Sequence, residues 1–128
     1  MILALVDDLM FRSKIKSTAQ QAGVSVAFAG SRDAALSAMR ANAPALVVFD
    51  LNNMRSDPLG TLAEMKKDVA LSAIRTVGYV SHVDVNTIEA ARAAGVDEVL
   101  ARSAFTARLA ELVTNPPPRS GQGRGGSE

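Results

Sequence analysis

Asp7, Asp8, Asp50, Ser81 and Arg102 are the residues of this 128-residue chain whose types and positions could do chemistry together. Each follows an apolar run: residues 2–6 lead into Asp7 and Asp8, 45–49 into Asp50, 76–80 into Ser81, and 99–101 into Arg102. If these runs are parallel strands, their carboxyl ends share one edge of a sheet, where open α/β folds place their ligands. Three carboxylates then face a hydroxyl and a guanidinium across one crevice. Two unit charges about 4 Å apart repel by roughly 4 kcal/mol at an effective dielectric near 20. A hard divalent cation relieves that repulsion, and Mg2+ suits one or two carboxylates plus a phosphate. Asp50 is then a candidate nucleophile toward a phosphoryl donor. Ser81 can hydrogen-bond the transferred group, and Arg102 can pair with it. Taken singly, an aspartate at a strand end is more often a helix cap or loop residue, and Asp8 is placed to be one. The joint pattern is what points to a site.

The elements that must position these residues alternate along the chain. Residues 2–6, ILALV, form an aliphatic run of the kind buried on both faces of a parallel sheet. Phe11, Ile15, Thr18 and Ala22 follow at helical spacing, and Gly23 is a plausible helix end. Residues 24–29 are β-prone, and Ser31 can cap a helix carrying Ala35, Leu36 and Met39 up to Pro44. After the strand at 45–49, Asp57-Pro58 is a helix start, and Leu62, Met65 and Val69 share one expected face. Residues 74–80 predict a fourth strand, and Ile88 and Ala91 a helix ended by Gly95. Residues 96–101 predict a short strand interrupted by Asp97-Glu98, and Ser103 can cap a last helix carrying Phe105, Leu109, Leu112 and Val113. Five strands alternating with five helices predict an α/β, doubly wound, five-stranded parallel sheet covered on both sides.

Composition bounds the rest. The length suits one domain with a single core. An apolar fraction of 48% with only 4% aromatics points to aliphatic packing. The net charge of +1, with both signs interspersed, lacks the basic footprint of a dedicated nucleic-acid binder. The absence of cysteine excludes disulfides and thiolate metal sites. MILALVDD is too short and too soon acidic for a signal peptide, and no apolar run approaches a membrane span, so a cytoplasmic location is expected. The domain is expected to cover residues 1–114. Residues 115–128, NPPPRSGQGRGGSE, hold three prolines, four glycines and no large apolar side chain, which predicts a disordered tail. His82, the only histidine, is expected to be an exposed loop residue. Met39, Met54 and Met65 are read as core or loop filler.

Four motifs in order resemble those of two-component response-regulator receiver domains, over about residues 1–114. LVDD (5–8) resembles the family's acidic pair, VVFDLN (47–52) its phospho-acceptor stretch, YVS (79–81) its switch hydroxyl, and AGVDEVLAR (94–102) the approach to its basic residue. The resemblance implies a CheY-like, flavodoxin-like sheet with strand order 2-1-3-4-5. It implies that Asp50 accepts a phosphoryl group, with Ser81 and Arg102 beside it. Asp8, Asp50 and the Asn52 carbonyl would hold Mg2+, with Asp7 acting directly or through water. Implied partners are a sensor histidine kinase or phosphotransfer protein, and a downstream protein bound through the fourth helix, fifth strand and fifth helix. No DNA-binding output domain is expected after residue 114.

Departures from the family accompany these matches. Arg102-Ser103 stands where receivers carry Lys-Pro, and a planar guanidinium is not a conservative exchange for a compact ammonium. Asn53-Met54 replaces the usual Met-Pro, and Val99 stands where the family's aromatic switch is expected, with no ring to swing inward. The chain therefore resembles an atypical, stand-alone receiver. The alternative is a pseudo-receiver that binds partners without phosphorylation. A small aspartyl phosphohydrolase is disfavoured because Asn52 stands where a second acid is expected. A flavin-binding flavodoxin is disfavoured because DDLMFRS replaces its phosphate loop.

Overall fold

The aliphatic runs pair into one parallel sheet, and the helices between them cover both of its faces. The computed structural model describes residues 1–81 and 84–119. In chain order the elements are β1 (Ile2–Leu5), α1 (Leu9–Gln21), β2 (Val26–Phe28), α2 (Arg32–Ala41), β3 (Leu46–Asp50), a 3-10 turn (Met54–Ser56), α3 (Pro58–Lys67), β4 (Arg75–Val80), α4 (Val85–Ala94), β5 (Glu98–Ala101) and α5 (Arg102–Thr114). The strand order is β2-β1-β3-β4-β5, all neighbours parallel, as the sequence resemblance implies.

Side chains alternate across the strands, so each strand feeds two cores. Leu3, Leu5, Val47 and Phe49 point to one side and meet Leu36, Met39, Leu62, Met65 and Ala91 from α2, α3 and α4. Ile2, Ala4, Leu46, Val48, Val77 and Tyr79 point to the other and meet Phe11, Ile15, Phe105, Leu109 and Leu112 from α1 and α5. Burial on both faces is why these strands read as continuous apolar runs.

Local polar groups set where the elements begin and stop. The Ser31 hydroxyl accepts from the Ala34 amide and starts α2, as expected. The Asp57 carboxylate accepts from the Gly60 amide and starts α3 ahead of Pro58, while Asp57 itself sits at φ 49°. A Cβ on Gly60 would lie 2.1 Å from that carboxylate, so the cap needs glycine there. The expected interruption at Asp97-Glu98 is a clamp. The Asp97 carboxylate accepts from both the amide and the hydroxyl of fully buried Thr76, and the Asp97 amide donates back to that hydroxyl.

Three local expectations need correction. The buried face of α1 is Phe11, Ile15 and Ala19, not Thr18 and Ala22. Val69 is 92% exposed, because α3 ends at Lys67. Asp68 then accepts from Arg40 and the Ala70 amide and turns the chain, so that Leu71 takes the buried place. Ser103 does not cap α5, because β5 passes into the helix at Arg102 with no loop and no side-chain cap at Ala101. Met39 and Met65 are buried as expected, while Met54 is exposed on the 3-10 turn.

The last helix ends at Thr114, where the composition changes. Beyond it, Pro117 packs against the domain. Pro117 is buried, and its carbonyl accepts from Arg75 Nη1 at 3.3 Å. At Pro117, one ring and one carbonyl find partners at the start of β4. Residues 120–128 of the expected tail lie outside the described residues. Removing 116–128 is expected to lower stability in urea by about 1 kcal/mol, the size of one net hydrogen bond plus a small buried ring. Removing 120–128 alone is expected to leave the midpoint unchanged. None of the described helices is long and apolar enough to cross a membrane.

Candidate functional site

The carboxyl ends of β1, β3 and β4 and the start of α5 bring the sequence-derived candidates to one rim of the sheet. Asp8 is the N-cap of α1: its Oδ1 accepts from the Phe11 amide at 3.0 Å. Its Oδ2 faces Arg102 Nη2 at 3.3 Å. Capping and site membership therefore coexist in one side chain. The Phe11 amide, helped by the Met10 amide and the Arg102 charge, holds the Asp8 carboxyl below its ordinary range despite some desolvation.

Arg102 is the first residue of α5, and its guanidinium lies 4.4 Å over the ring of Phe11. Asp7 lies beside a second guanidinium, with Oδ1 3.8 Å from Arg12 Nη2. Arg12 also donates through Nε to the Val6 carbonyl and lies 5.0 Å over the ring of Phe28. Sequence reasoning missed Arg12, although a cation four residues after a helix cap returns to the rim of that helix.

Asp50 ends β3 half-buried, and its Oδ1 accepts from the Asn52 amide at 3.0 Å. Burial pushes this carboxyl up, the Asn52 amide and Arg102 pull it down, and the charges of Asp7 and Asp8 push it up further. Asn52 also turns its side chain toward β4, where its Oδ1 accepts from the Ser81 amide at 2.7 Å. That bond joins the loop after Asp50 to the end of the fourth strand. Ser81 is exposed and, with Val80, Ala101, Arg102, Ser103 and Thr106, lines an open hollow of about 600 Å3. His82 lies outside the described residues.

Tyr79 is the other residue missed from sequence. It faces Asp50 in the β3–β4 register, and its ring centroid lies 4.9 Å from those of both Phe11 and Phe105. Burial, with the Asp50 charge second, pushes its phenol well above the ordinary range. Val99 packs against the opposite core, so the aromatic groups of this rim sit on the α1/α5 face and not on β5.

The donor set fits a hard divalent cation: carboxylates and a carbonyl, all oxygen. The upward push of Asp7 and Asp8 on Asp50 is the repulsion such an ion relieves. Among the described residues, however, no three metal-ligating side chains already converge on one point. The outer oxygen of Asp8 is turned to Arg102 instead.

Asp50 carries a pH prediction for the protein in EDTA. Its carboxyl is raised in the fold above the ordinary 3.8, so folding favours the neutral acid, and stability falls as pH rises through the raised value. Asp50→Asn removes the ionisation. Its melting temperature is expected to exceed that of the wild type at pH 7, with the gain shrinking toward pH 3.

No protein-family model matches the sequence, and no curated protein sequence matches it. Solved structures do match its fold. The phosphorylated cyanobacterial phytochrome response regulator RcpA superposes with a TM-score of 0.73 at 24% identity, over 88% of this chain and 86% of that one. The Mn2+-bound form of response regulator Rcp1 gives 0.75 at 16% identity, over 89% and 91%. The receiver domain of NtrX from Brucella abortus gives 0.76 at 24% identity, over 89% and 95%. The structures that this chain resembles are response-regulator receiver domains, and its fold is theirs.

Proposed function

We propose that this chain is an atypical receiver: Asp50 accepts a phosphoryl group from a sensor histidine kinase or phosphotransfer protein, and the modified domain signals by binding another protein. The observation that carries this function is the setting of Asp50. It is half-buried at the end of β3, in the fields of Asp7, Asp8 and Arg102, with the neighbouring Asn52 tied to Ser81. Its Oδ1 is held by the Asn52 amide, which leaves Oδ2 to attack phosphorus. The new oxygen–phosphorus bond forms as the bond to the donor breaks, and the donor leaves with the electron pair. Arg102 then pairs with phosphoryl oxygens, and the Ser81 hydroxyl donates to them. Asp8, Asp50 and the Asn52 carbonyl would hold Mg2+, with Asp7 direct or through water. When bound, the ion supplies charge neutralisation between carboxylate and phosphoryl oxygens.

The domain is a phospho-acceptor with no turnover chemistry beyond Mg2+-dependent self-phosphorylation and autodephosphorylation, and a cytoplasmic location is consistent with that role. Its target would dock on the face of α4, β5 and α5. Intact mass after exposure to a small phosphodonor, in wild type and Asp50→Asn, tests the acceptor directly. The Arg102–Asp8 pair favours one alternative, a pseudo-receiver that binds its partner without phosphate. Tight partner binding with no uptake of phosphate would select it.

A further inference from the structure

We propose that Arg102 is a built-in counter-ion that competes with the divalent cation for Asp8, so that metal binding must first release the guanidinium. This deepens the proposed function and rests on its claim that the acidic rim takes a divalent ion. Three observations converge on the competition. The Oδ1 of Asp8 is committed to the Phe11 amide as the cap of α1, which leaves Oδ2 as the oxygen open to a cation. Arg102 Nη2 stands 3.3 Å from that oxygen. Its guanidinium is also seated 4.4 Å over Phe11, so the capping residue, the capped helix and the cation form one closed unit.

The helix itself does not hold Arg102 in place. A cation at a helix N-terminus opposes the macrodipole, and α5 has no side-chain cap there. Asp8 and the Phe11 ring are what keep the guanidinium on the rim. An ion arriving at Asp8 claims the same oxygen and repels the same charge. Once released, Arg102 remains on a long side chain within reach of an anion on Asp50. The ring it leaves touches Tyr79 at 4.9 Å and Phe105 at 5.8 Å, so the exchange is felt on the α1/α5 side of the sheet.

Calorimetric titration of the full chain with Mg2+ tests this in wild type, Arg102→Gln and Phe11→Leu. Arg102→Gln is expected to bind Mg2+ about tenfold more tightly, the combined size of a half-exposed ion pair and a cation–π contact. Phe11→Leu keeps the charge but removes the seat, and is expected to tighten binding about threefold, the size of the cation–π contact alone. In wild type, the Arg102 Nε–Hε resonance is expected to shift with the same midpoint as the heat of binding, a readout that needs no variant to fold. Equal affinities in wild type and Arg102→Gln, or an unmoved Arg102 resonance, would overturn the competition and leave the acceptor role of Asp50 standing. Tightening in Arg102→Gln alone would reduce it to a long-range charge effect and overturn contact competition. No Mg2+ binding in any of the three would overturn both the competition and the metal-assisted part of the proposed function.

Discussion

Exposed to a small phosphodonor and Mg2+, the protein is expected to gain the mass of one phosphoryl group, and Asp50→Asn to gain none. The expected loss is complete because no other described carboxylate combines the position of Asp50 at a strand end with its free second oxygen and its neighbours. Asp8 has one oxygen on the Phe11 amide and the other on Arg102, and its carboxyl is held low, so it is both occupied and a weaker nucleophile. Asp7 is exposed beside Arg12. Omitting Mg2+ is expected to slow uptake sharply, since the attacking carboxylate and the phosphoryl oxygens then repel without relief. Arg102→Lys is expected to change the rate less than it changes the structural response, because an ammonium pairs as a point charge and gives up the planar seat on Phe11. Amide shifts with a beryllofluoride mimic, compared between the two proteins, measure that response. Retained uptake in Asp50→Asn would move the acceptor elsewhere. Absent uptake in the wild type, with partner binding intact, would make the protein a pseudo-receiver.

Phe105→Ala is expected to cost about 3–5 kcal/mol in urea unfolding, a large fraction of the roughly 5–15 kcal/mol that holds a domain together. Phe105 is fully buried, and its ring is stacked on Tyr79 with centroids 4.9 Å apart. Truncation leaves a cavity between α5 and the sheet, and also removes an aromatic pair worth about 0.5–1.5 kcal/mol. Phe105→Leu keeps most of the volume, so a smaller loss in that variant separates the cavity from the ring contact. The chain has one tyrosine and no tryptophan, so the near-ultraviolet circular dichroism of Tyr79 reports the same packing directly. A loss below about 1 kcal/mol for Phe105→Ala would mean that α5 repacks over the gap.

The alternation of elements was legible in the residues because burial on two faces leaves an unmistakable mark. Residues 2–5, 46–49 and 76–80 have no polar side chain except Thr76 and the phenol of Tyr79, and each became a strand. Caps at Ser31 and Asp57, and helix ends at Gly23 and Gly95, were legible for a similar reason: each is a local contact spanning a few residues. The gathering of Asp7, Asp8, Asp50, Ser81 and Arg102 on one rim followed from strand direction alone, since every parallel strand delivers its last residue to the same edge.

Pairings between distant segments were not legible. Only the tertiary structure turned Arg102 to Asp8, 94 residues away, rather than to Asp50. The same holds for Asn52 reaching the Ser81 amide, Asp97 clamping Thr76, Pro117 finding Arg75, and the rings of Phe11, Tyr79 and Phe105 meeting on the α1/α5 face of the sheet. A sequence states which side chains are charged, apolar or able to cap, because those properties are intrinsic or act over a turn. Which charge satisfies which depends on angles and distances of a few ångströms between elements, set by how two whole cores pack. In this protein that difference decides that the Arg102 guanidinium rests on Asp8.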